Sequence, residues 1–128
     1  MLAHWRWRFL KAAGVKFNSN HPQTLIYYDV SIDTVHPELV EIGNHVAITE
    51  GVKIITHFLD PNQKGNNFRL GKVIIQDYVF IGMNVIICNS ITIGEGAIIG
   101  AGSVVTKDIP PYQVWAGNPA KYIKDRAH

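Results

Sequence analysis

A single cysteine in 128 residues has nothing to pair with, so no internal disulfide braces this chain and an oxidising compartment is not indicated. Charge is also scarce. Asp, Glu, Lys and Arg make up 17% of residues, and 12 basic against 10 acidic residues leave a formal net charge of +2. That balance, with no basic stripe interleaved with aromatics, argues against an electrostatic nucleic-acid footprint. No apolar run is long enough for a membrane span: the longest uncharged stretch, 78–94, is broken by Asn84, Asn89, Ser90 and Thr92. No cleavable signal pattern opens the chain, because Arg6, Arg8 and Lys11 interrupt the apolar residues, and the expected location is the cytoplasm.

What the chain has instead is a period. From Ile75 an aliphatic residue falls on every sixth position: Ile75, Ile81, Ile87, Ile93, Ile99, Val105. A second series of small or β-branched residues trails the first by four: Val79, Val85, Ile91, Ala97, Ser103. Neither the 3.6-residue helical period nor strand alternation gives that register, whereas short strands joined by tight corners and wound into a solenoid do. With three strands to a triangular coil, each residue stacks on the one eighteen later, about 4.8 Å along the axis. Ile42, Ile48 and Ile54 then form one coil, Ile75, Ile81 and Ile87 the next, and Ile93, Ile99 and Val105 a third. In this register Gly82 stacks on Gly100 and Met83 on Ala101, a corner with little side chain that leaves backbone amides open to an extended ligand.

The period also marks what departs from it. Residues 1–14 read as a short amphipathic helix stopped by Gly14, docked over the open end of the solenoid. Its Trp5, Arg6, Arg8 and Lys11 also suit weak contact with a membrane surface. The repeat covers 25–109, disturbed at 33–39, where Pro37 fits a bulged corner. Residues 58–71, rich in Asn and polar residues, leave it as one protruding loop. Pro110-Pro111 ends the ladder, and Asn118 as cap with Pro119 at the first helical position predicts a C-terminal helix over 118–127.

Three segments, VEIGNHVAITEGVKIITH at 40–57, ITIGEGAIIGAGSVVTKDIPP at 91–111 and AGNPAKYIK at 116–124, resemble the hexapeptide-repeat acyltransferases. The likeness is nearest to sugar and polysaccharide O-acetyltransferases such as the galactoside and maltose enzymes. The resemblance implies an all-β solenoid, a left-handed parallel β-helix, in a single domain 1–128. It also implies acetyl-CoA as co-substrate, a glycan or small-molecule acceptor, and a homotrimer with active sites between subunits. His57 aligns with the catalytic histidine, a base able to draw the proton from a sugar hydroxyl as it attacks the thioester. Gly82, Met83 and Ala101 fall where relatives hold the donor by backbone, Thr106 and Lys107 near its nucleotide end, and Lys121 and Lys124 near its phosphates. Asp60, Asn62, Asn67 and Asn84 are candidates for the acceptor's hydroxyls, although Asp60-Pro61-Asn62 is equally ordinary turn chemistry.

Three rival readings remain at this level. A carbonic-anhydrase-like metal enzyme would use His36, His45 and His57, but their spacing does not bring three ligands together within one chain, and no metal is expected. Cys88 as nucleophile competes with a structural thiol at a small-residue position. A trimeric scaffold without turnover would bind no CoA.

Overall fold

The computed structural model describes residues 3–32 and 35–127. The first two residues of the expected N-terminal helix, and Asp33 and Thr34 of the disturbed segment, lie outside the described residues. A short 3₁₀ turn, Ala3–Trp5, leads into α1, Trp7–Ala13. Gly14 ends it at φ +117°, where its N–H reaches the carbonyls of Leu10 and Lys11. Trp7 is buried, meets Phe17 edge to face at 6.1 Å, and joins the same apolar cluster as Ile26 and Ile32. The helix therefore closes the start of the coil.

Each turn of the chain then lays one strand on each of three sheets. The first turn gives β1 (Lys16–Phe17), β2 (Leu25–Ile26) and β3 (Ser31–Ile32), and the second β4 (Val40–Ile42), β5 (Ala47–Ile48) and β6 (Lys53–Ile54). A hairpin of β7 (His57–Leu59) and β8 (Phe68–Leu70) interrupts the sequence. The third turn gives β9 (Val73–Ile75), β10 (Phe80–Ile81) and β11 (Ile86–Ile87), and the fourth β12 (Ile91–Ile93), β13 (Ile98–Ile99) and β14 (Val104–Val105). Parallel pairing places Ile42 beside Ile75 and Ile75 beside Ile93, Ile48 beside Ile81 and Ile81 beside Ile99, and Ile54 beside Ile87 and Ile87 beside Val105. This is the stacking that the six-residue period predicts, and the hairpin does not shift it.

The interior follows from both series. Ile48, Ile81, Ile87, Ile93, Ile99 and Val105 are fully buried, as are Val52, Val85 and Ala97. Each such Ile is worth about 1.5–3 kcal/mol relative to exposure. Ser103, the polar member, is reconciled with burial by donating to the Gly100 carbonyl at 2.6 Å and accepting from the Gly117 N–H at 3.0 Å.

Two expectations change at the edges. Residues 58–71 protrude as a paired antiparallel hairpin rather than an irregular loop, with His57 opposite Leu70 and Leu59 opposite Phe68. The C-terminal helix over 118–127 is not formed. β15 (Gln113–Gly117) adds to β13 in parallel, and β16 (Ala120–Asp125) folds back on β15 antiparallel. Asn118-Pro119 occupies the turn between them, with a cis peptide bond. An Asn-Pro pair punctuates a hairpin as readily as a helix start, and the unpaired edge of β13 supplies tertiary pairing that an isolated short helix lacks.

Candidate functional site

Two cavities divide the residues that the sequence singles out. The first runs along the corner after β5, β10 and β13. One column of residues follows the central isoleucines: Tyr27, Thr49, Gly82, Gly100. Their N–H groups bond in turn to the carbonyls of Ile48, Ile81, Ile99 and Trp115 at 2.8–3.2 Å. A cavity of about 460 Å³ opens on this corner, lined among others by Tyr27, Glu50, Phe80, Gly82, Met83 and Ala101. The absence of side chain is structural here: a Cβ on Gly82 would lie 2.6 Å from the Ala101 nitrogen and 2.9 Å from the Ile99 carbonyl oxygen. Gly82, Met83 and Ala101 therefore come together as the register predicts. Tyr27 and Glu50 were not singled out from the sequence, yet they occupy the same columns one and two residues after Ile26 and Ile48. Extending the eighteen-residue stack across the hairpin would have found them.

The same column continues to the C-terminal hairpin. A Cβ on Gly100 would meet that of Ala116, and Ala116 pairs with Lys121 across β15 and β16. Lys121 and Lys124 are both exposed on β16. Thr106 and Lys107 lie at a different corner, after β14, where they are exposed and the Lys107 ammonium sits 5.4 Å from the Trp115 ring centroid. Neither is part of the cavity wall.

His57 belongs to the second cavity, about 490 Å³, lined by Val35, His36, His57, Phe68 and Leu70. It begins the hairpin at the corner after β6, half-buried, with its ring 6.1 Å from that of Phe68. Among the described residues the two cavities share no lining residue.

Of the polar loop residues only Asp60 is buried, and Asn62 and Asn67 are exposed. The Asp60 carboxylate accepts the Asn62 N–H at 2.9 Å and stands 4.0 Å from Arg69. Asn67 donates to the Lys64 carbonyl at 2.9 Å, and its own carbonyl accepts the Asp60 N–H at 2.8 Å. These contacts are those of a turn. Asn84, at φ +58°, sits against Gly51 at the corner between β10 and β11.

The rival residues are placed as well. His45 stacks on Tyr78 at 5.0 Å and does not line the cavity that holds His36 and His57. Among the described residues no group of three or more His, Cys, Asp or Glu could hold a metal ion. Cys88 is half-buried with Sγ 3.8 Å from the Val105 carbonyl, and burial pushes its thiol pKa up, away from the thiolate a nucleophile needs. No helix among the described residues is long and apolar enough to cross a membrane.

Comparison with known proteins agrees with this geometry. Residues 72–107 match the family described as bacterial transferase hexapeptide (six repeats). A "Putative acetyltransferase" of Schizosaccharomyces pombe is 45% identical over 114 residues, covering 87% of this chain and 51% of that protein. The chain spans about half the length of the curated relatives it matches. A hexapeptide-repeat acetyltransferase of Vibrio cholerae, solved with acetyl coenzyme A, superposes with TM-score 0.78 at 26% identity, over 90% of this chain and 62% of that one. A maltose O-acetyltransferase from Clostridium difficile gives TM-score 0.75 at 28% identity, over 96% and 75%.

Proposed function

Because the chain belongs to the hexapeptide-repeat transferases, we propose that it is an acetyl-CoA-dependent O-acetyltransferase acting on a hydroxyl of a sugar or polysaccharide precursor. The observation that carries this reading is the bare corner column of Gly82 and Gly100, flanked by Met83 and Ala101. The cavity along this corner, about 460 Å³ and lined by the exposed Met83 and Ala101, suits an extended pantetheine arm. The column leads to Ala116 and Lys121, which supports Lys121, with Lys124 behind it, as the cationic end for the donor's phosphates. We infer for the solenoid the left hand that the hexapeptide-repeat resemblance implies.

His57 is the general base. The acceptor hydroxyl oxygen attacks the thioester carbonyl carbon while His57 takes its proton. The C–S bond then breaks, and the departing thiolate recovers that proton from the imidazolium. The acetyl ester and free CoA leave, and no covalent enzyme intermediate is required. Since donor groove and His57 line separate cavities at different corners, a homotrimer that sets one chain's groove against its neighbour's histidine satisfies both. Thr106 and Lys107, at the corner after β14, then reach the nucleotide end of a donor lying along the subunit boundary.

The test is release of CoA thiol from acetyl-CoA across a panel of sugars and nucleotide sugars. Acceptor-dependent release should fall by about 10²–10⁴-fold in His57→Ala, with CoA binding retained. Near-normal turnover in that variant would remove His57 from the mechanism. Failure to bind CoA at all would return the chain to the scaffold reading.

A further inference from the structure

The hairpin that carries His57 has two unlike faces. Strand alternation and the pairing of His57 with Leu70 and Leu59 with Phe68 put these four side chains on one face. Phe58 and Arg69 occupy the other, with the guanidinium 5.4 Å from the phenyl centroid. The histidine face is strongly apolar and open: Leu59 is 53% exposed, Phe68 62% and Leu70 57%, with Val35 across the cavity at 60%. Large apolar side chains left exposed together mark a place where something binds. Among the described residues lining the cavity, only the two imidazoles of His36 and His57 are polar side chains. The side chains of Asp60 and Asn67 bond within the hairpin's own turn.

A fully hydroxylated sugar ring fits this wall poorly, because a hydroxyl pressed against Val35 or Leu70 loses water without gaining a partner. At about 490 Å³ the cavity lies within the range, roughly 300–1,000 Å³, of sites that enclose a drug-sized ligand. The geometry points to an amphipathic acceptor: a hydroxyl delivered to His57 by a molecule whose adjoining part is an apolar or aromatic group, seated on Phe68, Leu70 and Val35. Phe68 and Leu70 are then the residues that set acceptor specificity. This inference rests on His57 being the base of the transferase proposed above. In the proposed trimer the neighbour's groove faces His57 from the open side, and the apolar wall beside the proton acceptor is left for the acceptor because both line one cavity.

Matched methyl and phenyl glycosides of glucose, galactose and N-acetylglucosamine, assayed by thiol release from acetyl-CoA with the full chain, test it. The phenyl member of an accepted pair should have kcat/KM about tenfold or more above its methyl partner. That ratio should collapse toward one in Phe68→Ser and in Leu70→Ser, two exposed positions whose replacement leaves the buried core intact. A wild-type ratio near one overturns the inference, as does a ratio that both variants leave unchanged. Sedimentation of the same variants supplies the competing outcome: a smaller assembly with an unaltered ratio would assign the face to contact between copies. No release from any glycoside despite bound CoA also counts against it, whereas absence of CoA binding would sink the transferase reading itself.

Discussion

The corner groove proposed for the donor and the His57 cavity are built by different means. The groove is lined by residues of the stack itself, so Gly82, Gly100 and Ala101 are fixed by the same register that buries Ile81 and Ile99. The His57 cavity is made of side chains on a hairpin that leaves the stack, and none of Leu59, Phe68 or Leu70 belongs to the core. A site on the stack shares the rigidity of the repeat, whereas a site on the hairpin can vary without disturbing it.

Substitutions that separate the two regions should differ in what they damage. The largest effect expected is that of His57→Ala, which removes turnover while the groove continues to bind CoA. Next, Ile81→Ala opens a cavity in the stack and should cost about 2–5 kcal/mol of stability, whereas Leu59→Ser on the hairpin should cost less than about 0.5 kcal/mol. Urea unfolding of the two side by side checks the contrast, and equal losses would mean that the hairpin is part of the cooperative core. Gly82→Ala should be intermediate. Its methyl group meets the Ala101 nitrogen at 2.6 Å, so the strands must separate at a cost of about 1–3 kcal/mol, and CoA affinity should drop with it. Undiminished CoA binding by a folded Gly82→Ala would move the donor off this corner.

The smallest effect concerns a third corner. Asp77 accepts hydrogen bonds from the Asn18 side chain at 2.9 Å and the Asn44 N–H at 2.8 Å, with His45 nearby. The Asn18 hydrogen bond chiefly, then that from Asn44, holds its carboxyl below the ordinary value of 3.8. A depressed folded pKa stabilises fully above that ordinary value and ceases to do so as the pH falls through the folded one. Asp77→Asn should therefore lose stability at neutral pH and converge on the wild type in strong acid. The difference should stay below about 1 kcal/mol because water screens this half-exposed site. A gap that persists in acid would assign the loss to packing instead.

The same division governs what could be read from the chain. Isoleucine at every sixth position announces the three sheets, their pairing and the bare corner, because each is a consequence of one translation along the axis. The wall of the His57 cavity follows from no such rule. Phe68 and Leu70 stand in a segment that reads as polar, and only its folding into a paired hairpin gathers them on the face of His57. His36 joins them from the turn below, at a place where the register is already disturbed. At the C-terminus, Asn118-Pro119-Ala120 satisfied a helix rule locally, but the unpaired edge of β13 decided the outcome, and that edge is visible only once the stack exists. Asp60 and Asn67, which the composition offered for a sugar's hydroxyls, bond within the turn, and Asn62 joins it through its backbone N–H.

The hairpin's feet are clasped. The Gly71 N–H bonds to the Thr56 carbonyl at 2.8 Å and His57 pairs with Leu70, so the chain returns to the stack where it left and Ile75 still lies beside Ile42. Nothing in the prism registers how many residues lie between those feet, and lengthening such an excursion costs little chain entropy. The segment is thus an exchangeable cassette. A hairpin of another length or sequence should therefore fit between the same feet while Ile42 and Ile75 keep their register.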